Sequence, residues 1–229
     1  MRKIAVILYG PPGGGKGTQA NLLANKLGLI HFDTGKFLEL VVHDPARQKE
    51  KIVRREKKLF DDGILMTPSF VLGEVVKAVK QIRKAGYGVV FSGSPRTVYE
   101  ANGLLPVLER LYDGKKNIFI FELKMPEAYS IKRNSNRLVC SACGYTLLSA
   151  YYPHVKPKHC PVCGGPFYRR TLDNPKTIKV RLGEYRNRTE PIFKIAENRG
   201  YRIHKIDARP APYKVFRKIY GCLKNAGRD

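Results

Sequence analysis

The chain has no long apolar run. No stretch approaches the roughly 18 apolar residues that a membrane-spanning helix needs, and the short run at residues 4–8 is too brief for the apolar region of a secretory signal. Internal repeats and low-complexity linkers are also missing. We therefore expect a soluble, cytoplasmic protein with no membrane partner, in which 229 residues form one large domain with insertions.

Acidic residues are scarce, since 19 Asp and Glu stand against 43 Lys and Arg, a formal net charge of +24. Such an excess predicts anionic partners, and phosphates and RNA both qualify. The positive residues are spread along the chain and form no long block. A generally solvated basic surface is therefore the simpler interpretation, and nucleic-acid binding remains an open possibility.

Cysteine is scarce too, and four of the five cysteines form two pairs, Cys140 with Cys143 and Cys160 with Cys163. In a reducing compartment this spacing favours a metal site over two disulfides, and four thiolates predict tetrahedral Zn²⁺, with Fe²⁺ as the alternative metal. Four cysteines leave no open coordination position, so the metal is predicted to be structural. Cys222 stands alone in an apolar-periodic segment and is expected to pack in the core.

Glycine is concentrated where the first predicted strand ends. The apolar run 4–8 is followed at 10–18 by Gly-Pro-Pro-Gly-Gly-Gly-Lys-Gly-Thr. Glycine lets backbone amides curl around an anion, and a helix beginning there would point its N-terminal dipole at the same anion. The segment fits the P-loop pattern, except that Gly17 takes the usual hydroxyl position. Lys16 is therefore predicted to reach the β- and γ-phosphates, with Thr18 near the phosphates or Mg²⁺.

Predicted strands and helices alternate along the rest of the chain. Further strands are predicted at 29–32, 89–91, 117–123 and 201–206, and the main helices at 18–27, 48–62, 68–85, 97–112, 126–136, 174–198 and 212–225. Another helix is predicted to begin at Asp33 or Thr34. Ile52 is expected to face inward from the helix at 48–62, and Thr67 is expected to cap the helix at 68–85. This α/β alternation predicts a five-stranded parallel sheet with helices on both faces and ligands at the strands' C-terminal ends.

Motifs in this order resemble those of the adenylate kinases, in the long form with a zinc-bearing lid. They are the segment 10–18, Asp33-Thr34-Gly35, Gly93-Ser-Pro-Arg-Thr97, Arg133-x₃-Arg137 leading into Cys140, and Arg170 with Arg181-Leu-x-Glu-Tyr185. The resemblance covers nearly the whole chain. It implies a P-loop NTPase fold, a nucleoside monophosphate kinase that transfers a phosphoryl group from MgATP to AMP to give two ADP, and a monomer.

The resemblance also implies roles for the matching residues. The implied catalytic residues are Lys16, Arg96, Arg137, Arg170 and Arg181. The implied ATP-binding residues are Gly13, Gly14, Gly15, Lys16, Gly17, Thr18, Arg133 and Arg137, with Arg133 stacked on the donor adenine. The implied monophosphate-binding residues are Thr34, Gly35, Lys36, Glu39, Met66, Gly93, Arg96, Glu100, Arg170 and Arg181.

The same resemblance divides the chain into three parts. The core comprises residues 1–34, 67–135 and 174–229, and residues 35–66 form a monophosphate-binding insertion. Residues 136–173 form a lid held by zinc on the four paired cysteines. Both insertions are expected to close on the substrates and to exclude water.

Several residues depart from the family pattern. Ser92 stands where the family has an aspartate that orients Mg²⁺ through water, so metal binding is expected to be weaker or to depend on Asp33. Lys36 and Glu39 replace an aspartate and an arginine. Either Lys36 contacts the acceptor phosphate, or the two residues form a surface ion pair.

Glu100 replaces the glutamine that reads the acceptor base. A carboxylate only accepts hydrogen bonds, so it suits guanine N1–H and N2–H₂ better than adenine N1. AMP is the first interpretation, with GMP or a pyrimidine monophosphate as the alternative. Ser92, the net charge and the zinc module leave a further alternative, a weakly active P-loop switch that binds RNA or the ribosome.

Overall fold

The computed structural model describes residues 3–62, 64–147, 157–170 and 173–225. The ends of the predicted core and parts of the predicted lid, at 1–2, 148–156, 171–172 and 226–229, lie outside the described residues, as does Gly63.

Five parallel strands form the central sheet. They are β1 (Ala5–Tyr9), β2 (Leu29–Phe32), β3 (Gly88–Phe91), β4 (Ile118–Lys124) and β8 (Ile203–Asp207). Their order is β2-β3-β1-β4-β8, and Ala5 pairs with Val89 on one side and with Ile118 on the other. Every residue of β1 is buried, as expected for a central strand covered on both faces. The predicted five-stranded parallel sheet is confirmed.

Nine α-helices lie in the described ranges. They are α1 (Lys16–Leu27), α2 (Thr34–His43), α3 (Lys51–Asp61), α4 (Pro68–Lys84), α5 (Val98–Leu111), α6 (Glu127–Ser135), α7 (Pro175–Glu184), α8 (Pro191–Asn198) and α9 (Pro212–Asn225). A π-helical turn, Tyr185–Thr189, joins α7 to α8. Helices α1 and α9 pack on one face of the sheet, whereas α4, α5 and α8 pack on the other. None of these helices has the length and apolar content needed to cross a bilayer.

Side-chain caps set two helix starts at the C-terminal edge of the sheet. Asp33 Oδ1 accepts hydrogen bonds from the backbone N–H groups of Gly35 (3.1 Å) and Lys36 (3.4 Å), as predicted for the start of α2. Thr97 Oγ1 accepts from the N–H of Glu100 (3.2 Å) at the start of α5. These caps fix the two loops that carry Asp33 and the residues before Thr97.

One local prediction is wrong and another holds only in part, and Glu56 explains both. Ile52 is 46% exposed, because Val53 and Glu56 occupy the buried positions of α3. Thr67 is the N-cap residue of α4, as predicted, but its side chain makes no hydrogen bond to the helix. Its hydroxyl and its backbone N–H both donate to the Glu56 carboxylate, each at 2.7 Å. A fully buried carboxylate needs such donors, so this demand prevails over the local capping preference.

A second, small sheet carries the paired cysteines. Strands β5 (Leu138–Cys140), β6 (Thr146–Leu147) and β7 (Phe167–Tyr168) form an antiparallel sheet in the order β6-β5-β7. The strands are short, and Val139 pairs with Thr146 on one side and Tyr168 on the other. A sheet this small cannot bury much apolar surface, so we expect its stability to depend on the cysteine cluster.

Candidate active site

The glycine-rich loop lies between β1 and α1. Gly13 has φ +73°, which favours glycine, and a Cβ there would lie 2.6 Å from Asn134 Nδ2 on α6. Lys16 Nζ donates to the carbonyl oxygens of Gly10 (2.6 Å) and Pro11 (3.0 Å). The lysine side chain therefore turns back over the loop. The two carbonyl oxygens accept the hydrogen bonds that phosphate oxygens would accept in a complex.

The other residues predicted for the ATP site lie in the rest of the glycine-rich loop and in the first turn of α1. Gly14 donates its backbone N–H to the Pro11 carbonyl (3.0 Å), and Gly15, with φ +82°, precedes α1. Gly17 and Thr18 lie in the first turn of α1. The N–H groups of a first helical turn have no intrahelical partner, so this turn is suited to bind an anion.

Helix α6 supports the loop from behind, which the sequence analysis missed. Ser130 Oγ donates to the carbonyl of Pro12 (2.6 Å), and Asn134 Nδ2 donates to the carbonyl of Ser130 (2.8 Å). Both side chains are buried. Two small polar residues four positions apart were the only signal in the sequence, and that spacing is common on any helix.

Lys16 lies at the centre of a group of positive charges. Its pKa is lowered to about 7, first because burial takes the ammonium group out of water and then because Arg96, Arg181 and Arg137 repel it. Among the described residues, Asp33 acts on this pKa in the opposite direction. An anion bound here would relieve the repulsion and favour the charged lysine.

Arg181 has similar surroundings. Burial lowers its pKa to about 10, and repulsion from Arg96, Arg137 and Arg170 acts in the same direction. Arg96 is itself open to solvent, as expected for a group facing a cleft, and desolvation by the cleft walls lowers its pKa too. The structure thus brings together the predicted cations Lys16, Arg96, Arg137, Arg170 and Arg181.

Asp173 is the acidic partner of this group, and the sequence analysis did not identify it as a site residue. Arg137 donates to both carboxylate oxygens, from Nε at 2.8 Å and from Nη2 at 2.5 Å. Arg181 Nη1 lies 3.9 Å from the same carboxylate. The available signal was that Asp173 is the sole acidic residue between Glu127 and Glu184.

A second position suited to an anion lies beside Arg96. Thr34 is buried, and its Oγ1 has no hydrogen-bond partner among the described residues. A Cβ at Gly93 would lie 3.2 Å from both Thr34 Cβ and Arg96 Nη2, so the glycine leaves room next to the hydroxyl. Arg96 Nε is held by the Gly93 carbonyl (2.8 Å). An unpartnered hydroxyl and a guanidinium around a gap fit an oxyanion such as phosphate.

Glu100 serves the loop that carries Arg96. Its buried carboxylate accepts from the Arg96 backbone N–H (2.9 Å) and from Thr97 Oγ1 (3.0 Å), while burial raises its pKa. Thr189 Oγ1 donates to the Arg96 carbonyl (3.0 Å) from the π-helical turn. Both contacts fix the backbone of Arg96.

The other predicted acceptor-side residues differ in their exposure. Lys36 is exposed, and a Cβ at Gly144 would lie 3.1 Å from its Nζ, so Lys36 points at the cysteine-bearing sheet. In the described part of the chain Lys36 and Glu39 form no ion pair, so the surface-pair alternative is wrong. Met66 is buried in the main core cluster, and Gly35 lies under the Asp33 cap.

Arg133, on α6, is bonded to the loop after β8. Its Nη1 donates to the Ala208 carbonyl (2.8 Å) and its Nη2 to the Arg209 carbonyl (2.7 Å), in the loop after β8. These bonds hold the guanidinium group beside the C-terminal end of β8.

Ser92 has a partner that the sequence analysis missed. His31 Nε2 lies 2.7 Å from Ser92 Oγ, and His31 Nδ1 lies 2.5 Å from Asn21 Oδ1. An amide oxygen only accepts hydrogen bonds, so this geometry places the ring proton on Nδ1. Nε2 then accepts a hydrogen bond from the Ser92 hydroxyl. Burial lowers the His31 pKa, which favours the neutral ring. The Ser92 oxygen keeps its lone pairs for another donor or for a metal-bound water.

The donor set near the cradle fits Mg²⁺. Asp33 supplies a carboxylate whose charge acts on Lys16, and Ser92 and Thr18 supply hydroxyl oxygens. Mg²⁺ prefers oxygen ligands and keeps several waters, with phosphates completing its shell. Few protein oxygens are therefore enough.

The four paired cysteines come together in the small sheet. Their sulfur atoms all lie within 4.8 Å of one another, with 3.4 Å between Cys140 and Cys163 and 3.7 Å between Cys143 and Cys160. Four thiolates around Zn²⁺ at about 2.3 Å have sulfurs about 3.8 Å apart. The cluster therefore fits a four-coordinate metal ion.

Together, a glycine-rich phosphate cradle, a second oxyanion position and five converging cations define a P-loop phosphotransferase, of the nucleoside monophosphate kinase class. The sequence agrees, because it matches the adenylate kinase family over residues 8–201. The chain belongs to the adenylate kinase family, and the resemblance found in its motifs is confirmed.

Individual relatives show the same extent of similarity. An adenylate kinase from Novosphingobium aromaticivorans is 36% identical over 198 residues, which is 85% of this chain and 88% of that protein. The Caldicellulosiruptor saccharolyticus adenylate kinase is 32% identical over 195 residues, 85% of this chain and 87% of that protein. The Methanosarcina barkeri adenylate kinase is 30% identical over 219 residues, 96% and 98% of the two chains.

Proposed function

We propose that this protein catalyses reversible transfer of the γ-phosphoryl group from MgATP to AMP, giving two ADP. The observation that carries the proposal is the group of arginines around the buried Lys16; burial first, and then repulsion from these arginines, lowers the pKa of Lys16 to about 7. Relatives that share 30 to 36% of its residues are named adenylate kinases. Phosphoryl transfer needs little covalent chemistry, and it depends on positioning and on neutralising charge.

On the donor side, the glycine-rich loop and Lys16 would hold the ATP phosphates, and Arg137 would join them. Lys16 would exchange its bonds to Gly10 and Pro11 for bonds to phosphate oxygens. Mg²⁺ bound with ATP would neutralise part of the phosphate charge, with Asp33 and Ser92 as the oxygen donors nearby. Arg133 would pack against the donor base at the rim of the cleft.

On the acceptor side, Arg96 and the Thr34 hydroxyl would bind the monophosphate. The hydroxyl supports this role, since it is buried without a partner in the described structure. Arg181 and Arg170 would lie between the two phosphates, where charge builds up during transfer. Gly93 would leave the space that the phosphate occupies.

The proposed parts of the chain are a core of residues 1–34, 67–135 and 174–229, a monophosphate-binding insertion at 35–66 and a lid at 136–173. Closure of both insertions would exclude water from the transfer. Zn²⁺ on the four cysteines would hold the lid's shape and would take no part in the chemistry. The monomeric state and the cytoplasmic location stay predictions.

The acceptor base is proposed to be adenine. The GMP alternative required the Glu100 carboxylate to face the base, yet both of its oxygens accept hydrogen bonds from the Arg96 loop. That arrangement supports a role for Glu100 in placing Arg96. The weakly active switch is not favoured either, because a simple nucleotide switch has no need of a second oxyanion position.

A coupled assay of ADP formation tests the proposal, with ATP as donor and AMP, GMP, CMP or UMP as acceptor. We expect AMP to have the highest kcat/KM, and Arg96→Ala to lower it by about a hundredfold or more. Arg110→Ala is the matched control, because Arg110 is an exposed arginine on the same helix as Glu100. A higher kcat/KM with GMP would overturn the choice of base, and no ADP from any acceptor would overturn the kinase.

A further inference from the structure

The solvent-facing side of α9 is strongly basic. The helix contains four Lys and Arg residues and no Asp or Glu. Lys214, Arg217, Lys218 and Lys224 are all exposed, and within the described residues none of them forms an ion pair. The net charge of +24 is far larger than the kinase site requires, so this concentration of charge is unexplained by the proposed function.

The basic residues of α9 alternate with aromatic rings. Tyr213, Arg217, Tyr220 and Lys224 follow one another at helical positions i, i+4, i+7 and i+11, which share one face and which we call the α9 stripe. The Arg217 guanidinium lies 5.7 Å from the Tyr213 ring centroid, and Lys224 Nζ lies 5.2 Å from that of Tyr220. The stripe is about 16 Å long, from a rise of about 1.5 Å per residue.

The stripe differs from α3, another helix rich in basic residues. Two of the five Lys and Arg residues of α3 are paired with acids, since Arg55 contacts Glu56 and Lys57 contacts Asp61. No aromatic ring of α3 lies among its exposed residues in the described structure. A solvated surface accounts for α3. In α9, by contrast, none of the four cations forms an ion pair in the described structure, and the Tyr213 ring is 55% exposed. The Tyr220 ring is half-buried, and one of its faces stacks on Phe216 with 5.6 Å between the ring centroids.

We propose that the α9 stripe binds single-stranded nucleic acid. Lysine and arginine would contact the phosphates, and the tyrosine rings would stack on unpaired bases, which is how proteins hold single strands without reading their sequence. Duplexes keep their bases stacked inside and offer the rings no partner. Stacked nucleotides rise by about 3.4 Å, so the stripe spans about five of them.

An anionic membrane is the competing partner for a basic helix. Helices that bind membranes insert an apolar face between the lipids. In α9 that face is not available, because Val215, Ile219 and Leu223 are buried against the sheet. The inference is independent of the proposed kinase activity, because the stripe contains none of the residues placed in the cleft.

Fluorescence anisotropy with labelled U₂₀ and dT₂₀ tests the proposal, on the full chain with saturating ATP so that the cleft is occupied. We expect binding that weakens with salt, and weaker binding to a 20-base-pair duplex. Arg217→Glu with Lys224→Glu should weaken binding by more than tenfold. The salt slope, which is the slope of the logarithm of the binding constant against the logarithm of the salt concentration, should fall in magnitude by about 1.4, because each lost phosphate contact contributes about 0.7. Tyr213→Ala with Tyr220→Ala should weaken binding by about tenfold at an unchanged salt slope.

The matched control is Lys80→Glu with Lys84→Glu on α4, which changes the net charge equally at two exposed lysines. Kinase activity and circular dichroism of all variants should match the unmodified chain. An equal loss in the α4 and α9 charge variants would overturn the proposal, as would equal affinity for the duplex. Binding to phosphatidylserine vesicles without binding to either oligonucleotide would overturn it as well.

Discussion

Arg137 and Asp173 form a two-pronged ion pair between the end of α6 and the start of α7, with both carboxylate oxygens bonded to the guanidinium. The side chain of Asp173 is 3% exposed and that of Arg137 is 19% exposed. This carboxylate also lies near Arg181, so it offsets the repulsion within the cation group while the cleft contains no phosphate.

Asp173→Asn keeps the shape of the side chain and removes its charge. Arg137 and Arg181 are then left without a counter-charge in a mostly buried place, so we expect the free energy of unfolding to fall by about 3 kcal/mol. Urea unfolding followed by circular dichroism measures this change. Glu184→Gln breaks the exposed pair with Arg188 and should cost less than about 1 kcal/mol. Equal losses in the two variants would contradict the assigned role.

ATP binding is expected to take up a proton at pH 8. With a pKa of about 7, Lys16 is mostly neutral in the free protein at that pH, whereas bound phosphates favour its charged form. Calorimetry in buffers of different ionisation enthalpy should show uptake of about one proton per ATP. Lys16→Arg stays charged and should show none. Identical heats for the unmodified chain in all buffers would rule the shifted pKa out.

The lowered pKa of Lys16 also predicts how the stability of the free protein changes with pH. The pKa of Lys16 is lower in the folded chain than in the unfolded chain, so the unfolded chain binds more protons between about pH 7 and pH 10. The contribution of Lys16 to stability therefore rises with pH across this window. Thermal melts of the free protein and of Lys16→Met should diverge over that range, and parallel pH profiles would contradict the prediction.

Thr34→Val is expected to separate acceptor binding from stability. The Thr34 hydroxyl makes no hydrogen bond in the described structure, so its removal should leave the free energy of unfolding unchanged or slightly higher. The KM of the monophosphate should rise about tenfold, with little change for ATP. Thr97→Val removes a helix cap and should instead destabilise by about 1 kcal/mol. A Thr34→Val variant with an unchanged acceptor KM would contradict the proposed subsite.

Cys160→Ser is expected to abolish metal binding and to lower the melting temperature, because three thiolates hold Zn²⁺ less tightly than four. Plasma mass spectrometry gives the metal content and distinguishes Zn²⁺ from Fe²⁺. Cys222→Ser is the control, because Cys222 packs at the edge of the core away from the cluster, and it should keep one metal ion per chain. Full metal content in Cys160→Ser would disprove the four-cysteine site.

His31 and Ser92 are expected to act as a pair. Ser92→Ala and His31→Ala should each raise the Mg²⁺ concentration needed for half-maximal activity. The first variant removes the Ser92 hydroxyl, and the second removes the hydrogen-bond partner that holds this hydroxyl in place. The double variant should then be no worse than either single variant, which is the signature of coupled residues. Titrations with Mg²⁺ at saturating nucleotide provide the measurement. Additive effects would show that the two residues act separately.

Much of the fold follows from local patterns. The buried run before the glycine-rich loop, Gly28 after α1 and Asp33 at the start of α2 each depend on neighbours a few residues away. Spacing along the chain was therefore enough to predict the strands, the phosphate cradle and the cysteine cluster. Where a distant partner intervened, as Glu56 did at Thr67, the local pattern predicted the N-cap position but not the hydrogen-bond partner of its side chain.

The sequence by itself determined which residue types were available, namely a lysine after glycines, arginines in recognisable motifs and paired cysteines. Only the tertiary structure decided their partners: Asp173 between two arginines, His31 on Ser92, and Glu100 turned toward its own loop. The reason is physical. Charge pairing and burial depend on which distant segments the sheet brings to its C-terminal edge, and His31 and Ser92 meet there from neighbouring strands 61 positions apart.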